Sequence, residues 1–216
     1  MCIRDRNQTE EEFADSRFQV LSELTRLRQL CCDPALVYEN YEGGSAKLDL
    51  CIELIQSAVE SGHKILLFSQ FTSMIEILTA RLQEESISYF VLQGSTKKEQ
   101  RAQMVEQFNR DDTSVFCISL KAGGTGLNLT GADIVIHYDP WWNVAVENQA
   151  TDRAHRIGQK NVVTVYKLIA KGTIEEKIIK LQQMKKELAE EILSGDEIKT
   201  ASFQREELLE LLEERF

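Results

Sequence analysis

Apolar positions along the chain follow two rhythms. From about Thr9 to Leu30, Phe13, Val20, Leu21, Leu24, Leu27 and Leu30 recur at helical spacing. Thr9 and Glu12 stand as a capping box before that run, and Asp33-Pro34 ends it. YENYEGGSA (38–46) reads as a connecting loop. From Lys47 the rhythm alternates. Short apolar runs at ILLF (65–68), YFVL (89–92), VFCIS (115–119), DIVIHYD (133–139) and VVTVYKLI (162–169) read as strands. Helical patterns lie between and after them, over 47–61, 73–85, 96–109, 144–155 and 173–193, with a last amphipathic stretch over 203–214. Gly62 stops the first of these helices, and Ser73/Glu76, Thr96/Glu99 and Thr173/Glu176 have the spacing of capping boxes.

Short apolar strands separated by helices of ordinary length demand parallel pairing with helices on both sheet faces. The expected fold class is therefore α/β: a doubly wound parallel sheet with flanking N- and C-terminal helices. The expected division is 1–46 as helix and loop, 47–172 as the sheet domain, and 173–216 as C-terminal helices. The first six residues differ in character from the rest of the chain, so a native start is not expected there. Ligands of such sheets bind at the C-terminal ends of the strands, which directs attention to the loops there.

Composition narrows the class. Hydrophobic residues make up 43% and charged residues 28% of the chain, the balance of a globular domain and not of a collagen or a disordered tail. No apolar run is long enough for a bilayer span, and the N-terminus lacks an apolar signal region, so no membrane partner is expected. Five cysteines without a C-x-x-C spacing point to a reduced cytoplasmic compartment and to roles as small buried hydrophobes. The formal charge of −10 is uneven: net −4 over 1–46, −1 over 47–172 and −5 over 173–216. The acidity lies on the flanks, so it does not exclude a phosphate-rich partner for the centre.

Three loops after strands are polar: Ser69-Gln70-Phe71, Gln93-Gly94-Ser95-Thr96, and Ser119 to Ala132 with Lys121 and four glycines. Glycines let backbone N–H groups approach phosphate closely, and small hydroxyls and amides complete a cradle. Neither G-x-x-x-x-G-K-[ST] nor G-x-G-x-x-G occurs, so the principal cradle for a nucleotide is not in these residues, and a third reading, a Rossmann-type cofactor enzyme, is disfavoured. In QATDRAHRIGQ (149–159), Arg153 and Arg156 would share a helix face. Two such guanidiniums need anions. A surface cluster with Asp152 and Glu147 would supply them, and so would a bound triphosphate. His137 and His155 have no second ligand at metal spacing, and no metal site is expected.

Taken together, LRQLCCDPAL (27–36), KILLFSQFTSM (64–74), LQGSTKKEQR (92–101), SLKAGGTGLNLTGAD (119–133), HYDPWWNVAVENQATDRAHRIGQ (137–159) and VYKLIAKGTIEEKI (165–178) resemble the C-terminal motor lobe of Swi/Snf-type DNA-dependent ATPases of helicase superfamily two. One departure is Val144, where the family's WWNPA has proline, at a helix start that favours proline without requiring it. The resemblance implies a RecA-like lobe, incomplete alone, that faces ATP held with Mg2+ by an N-terminal lobe of the same motor. It implies Arg153 and Arg156 as catalytic arginines reaching the γ-phosphate, with Gln149, Gly124, Thr125 and Gly126 beside the nucleotide. It implies Ser69, Gln70, Gly94, Ser95, Ser119 and Lys121 as contacts to the backbone of double-stranded DNA, along which the motor steps to move or strip a bound protein. Trp141 and Trp142 are expected to pack the loop against the lobe and not to stack on bases, and the helix after Gly172 to act as a brace. The competing reading is a stand-alone, non-enzymatic DNA- or protein-binding module using the same surface.

Overall fold

The computed structural model describes residues 10–120, 122, 127–154, 159 and 161–193, with side chains from 19 to 186. Lys121, Gly124, Thr125, Gly126, Arg156, the cap at Thr9 and the expected helix over 203–214 lie outside the described residues.

Five strands, β1 (Ile65–Ser69), β2 (Tyr89–Leu92), β3 (Val115–Ser119), β4 (Ile134–His137) and β5 (Thr164–Lys167), form one parallel sheet in the order β2-β3-β1-β4-β5. The helices are α1 (Glu10–Cys32), α2 (Ala46–Glu60), α3 (Thr72–Glu84), α4 (Lys98–Arg110), α5 (Val144–Thr151) and α6 (Ile174–Leu193). The parallel sheet follows from the sequence pattern: β1, β3 and β4 are buried along their whole length and carry only branched or aromatic apolar residues plus Ser69, Cys117, Ser119 and His137. One core lies under α2 and α3, with Ile55, Leu67, Met74, Leu78 and Cys117. The other lies under α4 and α5, with Phe68, Phe108, Phe116, Leu129 and Ala150. α1 and α6 meet each other through Leu24, Ile174 and Ile178. Among the described residues, no helix is long and apolar enough to cross a membrane.

Four local expectations are corrected. β5 is exposed at every residue, because it is the sheet's edge and pairs only with β4. Helix α3 starts at Thr72 with Phe71 as its N-cap, so the Ser73 box does not form. Thr96 does not cap α4 either: its Oγ accepts from the Gln93 N–H, closing the preceding turn. Helix α5 ends at Thr151, four residues earlier than expected, where Thr151 Oγ donates back to the Glu147 carbonyl and the chain tightens to three-residue steps at Arg153 N–H and Ala154 N–H. Other signals hold. Gly62, at φ +81°, closes α2 with the His63 N–H on the Ala58 carbonyl and its own N–H on Val59. Thr173 Oγ accepts from the Glu175 N–H, and Glu176 reaches back to the Gly172 N–H.

Candidate nucleotide- and DNA-facing edge

The ends of β1, β2 and β3 are neighbours, so the three polar loops emerge side by side at the C-terminal edge. Arg101, on α4, joins two of them. Its Nε donates to the Thr96 carbonyl (2.8 Å), its terminal nitrogens to Gln93 (3.2 Å), Gly94 (3.0 Å) and, across the gap, Ala122 (3.2 Å). Among the described residues Arg101 takes part in no ion pair, and the partners seen for it are these four carbonyl oxygens. Gly94 and Ser95 are exposed beside it, and no atom lies within 4 Å of where a Gly94 side chain would begin.

The glycine loop is fixed on both sides of its undescribed residues. Asn109 donates to the Asn128 carbonyl (2.8 Å) and accepts from the Gly131 N–H (2.9 Å). Gly131 suits this close approach, since a Cβ there would lie 3.0 Å from Asn109 Oδ1 and 3.1 Å from Asn109 Cα, tighter than ordinary contact. Gln159 donates to the carbonyls of Ala132 (2.6 Å), Thr130 (3.3 Å) and Ala154 (3.4 Å), which clamps the loop exit to the arginine segment. The Leu129 N–H on the Arg153 carbonyl (3.1 Å) makes a second tie.

Arg153 is buried in the turn after α5, whereas Gln149 lies exposed on that helix. The surface-cluster reading for the arginines loses one partner, because Glu147 is buried and committed elsewhere: it accepts from Lys167 Nζ (2.6 Å) and from the Trp141 N–H (2.7 Å). His137, inside β4, stacks on Phe68 and meets Thr151 Oγ at 3.1 Å. Burial holds its imidazole down at about 4, although the nearby Glu147 carboxylate works the other way.

Ser69 and Ser119 are both buried, and at Ser69 the hydroxyl is occupied. It donates to Asp139 Oδ1 (2.6 Å) and accepts from the Phe71 N–H (3.2 Å), while the Gln70 N–H also reaches Asp139 (3.1 Å). Asp139 faces Arg28 of α1 at 3.5 Å. Arg28 is itself buried, donates to the Pro140 carbonyl (2.7 Å) and is ringed by Phe71, Trp141 and Trp142 at 5.4–5.8 Å from their centroids. The tryptophans thus pack around a cation inside the lobe, as expected. Arg28, Arg101, Asn109, Asp139 and Gln159 were not singled out by sequence reasoning, although each except Asn109 lies in a recognisable block. Their roles depend on partners far away in the chain. Among the described residues, no three His, Cys, Asp or Glu stand together as metal donors, so none of them is assigned to Mg2+.

Residues 46–158 match the family model for the helicase conserved C-terminal domain. The chain is 45% identical over 202 residues to an uncharacterised ATP-dependent helicase of Mycoplasma pneumoniae, covering 92% of this chain and 19% of that protein. The C-terminal domain of a Sulfolobus solfataricus SWI2/SNF2 ATPase superposes with a TM-score of 0.71 at 31% identity, covering 96% of this chain and 85% of that one. The S. solfataricus SWI2/SNF2 ATPase core in complex with dsDNA superposes with a TM-score of 0.68 at 37% identity, covering 82% and 38%. The chain spans about a fifth of the length of the bacterial relatives it matches. With the parallel sheet in this order and these matches, the chain belongs to the helicase C-terminal-domain family, as a RecA-like lobe of the SWI2/SNF2 ATPases.

Proposed function

We propose that this chain is the second motor lobe of an ATP-driven translocase on double-stranded DNA. ATP and Mg2+ are held by the phosphate-loop lobe of the same motor, and this lobe closes on them. Arg156 meets the γ-phosphate across the cleft, stabilising the charge that develops there. Such a trans cation is typically worth about 10³–10⁵ in rate. Arg153, more deeply set, supports the same segment, and Gln149, Gly124, Thr125 and Gly126 line the nucleotide side. Alone, the lobe does not turn ATP over.

On the DNA side, Gln70, Gly94, Ser95 and Lys121 take the phosphate backbone of one strand. Ser69 and Ser119, buried at the strand ends, serve through their backbone and by shaping their loops. Backbone contacts carry no base information, which suits a motor that must step along any sequence. The observation that carries the reading is Arg101: one guanidinium binds carbonyls of two adjacent strand-end loops and so holds a cation where they meet. A solved relative described as an ATPase core in complex with dsDNA supports it. The task served is moving or stripping a protein bound to DNA, in the cytoplasm or on nuclear DNA according to the host.

Duplex titrations by fluorescence anisotropy test the grip. Affinity should be indifferent to sequence and fall linearly on a log–log plot against salt, and Lys121→Ala should lower that slope by about one. A strong sequence preference, or a slope untouched by Lys121→Ala, contradicts the assignment. Under the alternative of a non-enzymatic binding module, the chain binds duplex but confers no ATPase activity on a phosphate-loop lobe.

A further inference from the structure

We propose that Arg28 is a positioning residue for the loop after β1, acting through Asp139 to set how Gln70 meets a DNA phosphate. The inference rests on the duplex-gripping reading and goes beyond it, because it makes α1 part of the DNA-binding apparatus.

Helix α3 begins with Phe71 as a cap that lacks a side-chain hydrogen bond, so the usual local device for fixing a strand-to-helix turn is missing. A remote carboxylate replaces it. Asp139 lies 70 residues downstream of Ser69, is buried, and gathers the Ser69 hydroxyl and the Gln70 N–H onto one oxygen. Through Ser69 Oγ it also fixes the Phe71 N–H. Three consecutive residues therefore take their orientation from one side chain.

A buried carboxylate cannot hold that post unaided, since its own desolvation opposes the charge. Arg28 supplies the opposing charge at 3.5 Å and is the basic side chain paired with it. The guanidinium is fixed on the other side by the Pro140 carbonyl and by Phe71, Trp141 and Trp142. Phe71 thus belongs both to the loop being oriented and to the ring around the orienting cation. Among the described residues no hydrogen bond is made to the buried Gln70 Oε1, so the backbone beneath it, held by Asp139, is the anchor seen for this residue. A moving α1 would carry this loop with it.

Amide hydrogen exchange of the 216-residue chain, run beside duplex titrations, tests this. In Arg28→Met, the Gln70 and Phe71 amides should exchange about tenfold faster while amides within β1 and β3 keep their rates. Duplex affinity should fall by about tenfold with them. If Arg28→Met does not fold, Arg28→Met/Asp139→Asn removes both buried charges together and retains an amide oxygen for Gln70, so it should fold and shift both readouts in the same direction by roughly threefold. Arg28→Lys, which keeps the charge but not the planar fork, should fall between wild type and Arg28→Met. Wild-type exchange at Gln70 and Phe71 in the folded variants overturns the inference. So does faster exchange with unchanged duplex affinity, which is what a purely structural pair would give. Failure of the parent reading looks different: the wild-type chain itself shows no duplex affinity, and the inference falls with it.

Discussion

His137 shows how a single side chain reports on the state of the lobe. It sits in the central part of the sheet between Phe68 and Thr151, and burial holds it neutral down to about pH 4. In the unfolded chain the same imidazole takes up its proton near the ordinary value of about 6.5. A depressed folded value means that the stability is present above pH 6.5 and is lost as pH falls toward 4. Melting temperature should therefore drop between about pH 7 and pH 5, and His137→Phe, which keeps the stack on Phe68, should flatten that drop. An unchanged pH slope in the variant would show that other groups carry it. Several of the residues that matter most at this scale were hidden in the sequence for one reason. Asp139 and Ser69 are 70 positions apart, Arg28 and Pro140 are 112 apart, and Gln159 reaches back 27 and 29 residues, so no local spacing announces them. Glu147 read as a surface partner for arginine because it stands on a short helix, whereas tertiary packing buries it against Lys167.

At the scale of elements, helix and strand periods were legible wherever burial was one-sided or complete. β1, β3 and β4 were plain because a strand buried on both faces must be apolar throughout. β5 lies at the edge and is exposed at every residue, which the apolar residues flanking it in VVTVYKLI did not announce. The capping boxes at Ser73 and Thr96 failed because loops tied down from elsewhere do not need them. α6 is attached in a way the sequence did not indicate. Glu175, fully buried, receives Lys47 Nζ of α2 at 2.7 Å and the Ala170 N–H at 2.8 Å. Breaking a buried pair by removing one partner leaves a charge without compensation. Lys47→Met should lower the unfolding free energy by about 3–5 kcal/mol, and Lys47→Met/Glu175→Gln should recover most of it. Denaturant titration of the two variants decides. A small loss in Lys47→Met would mean that the Ala170 N–H and solvent already satisfy the carboxylate.

For the whole molecule, the sequence disclosed the fold and the family through contiguous blocks, because a RecA-like lobe concentrates its chemistry in loops at one sheet edge. What those blocks did not disclose is which of their residues hold one another in place. α4 holds two loops through Arg101 and Asn109, and α1 holds a third through Arg28 and Asp139. Helix α1, which read as an appendage to a central lobe, is thereby tied to the polar edge of the sheet. The most direct measurement replaces the matching 202 residues of the M. pneumoniae relative with this chain and follows ATP hydrolysis with and without duplex DNA. The account predicts DNA-stimulated turnover, reduced by about 10³-fold or more in Arg156→Ala while duplex binding persists. Turnover that ignores DNA, or that survives Arg156→Ala unchanged, would contradict it.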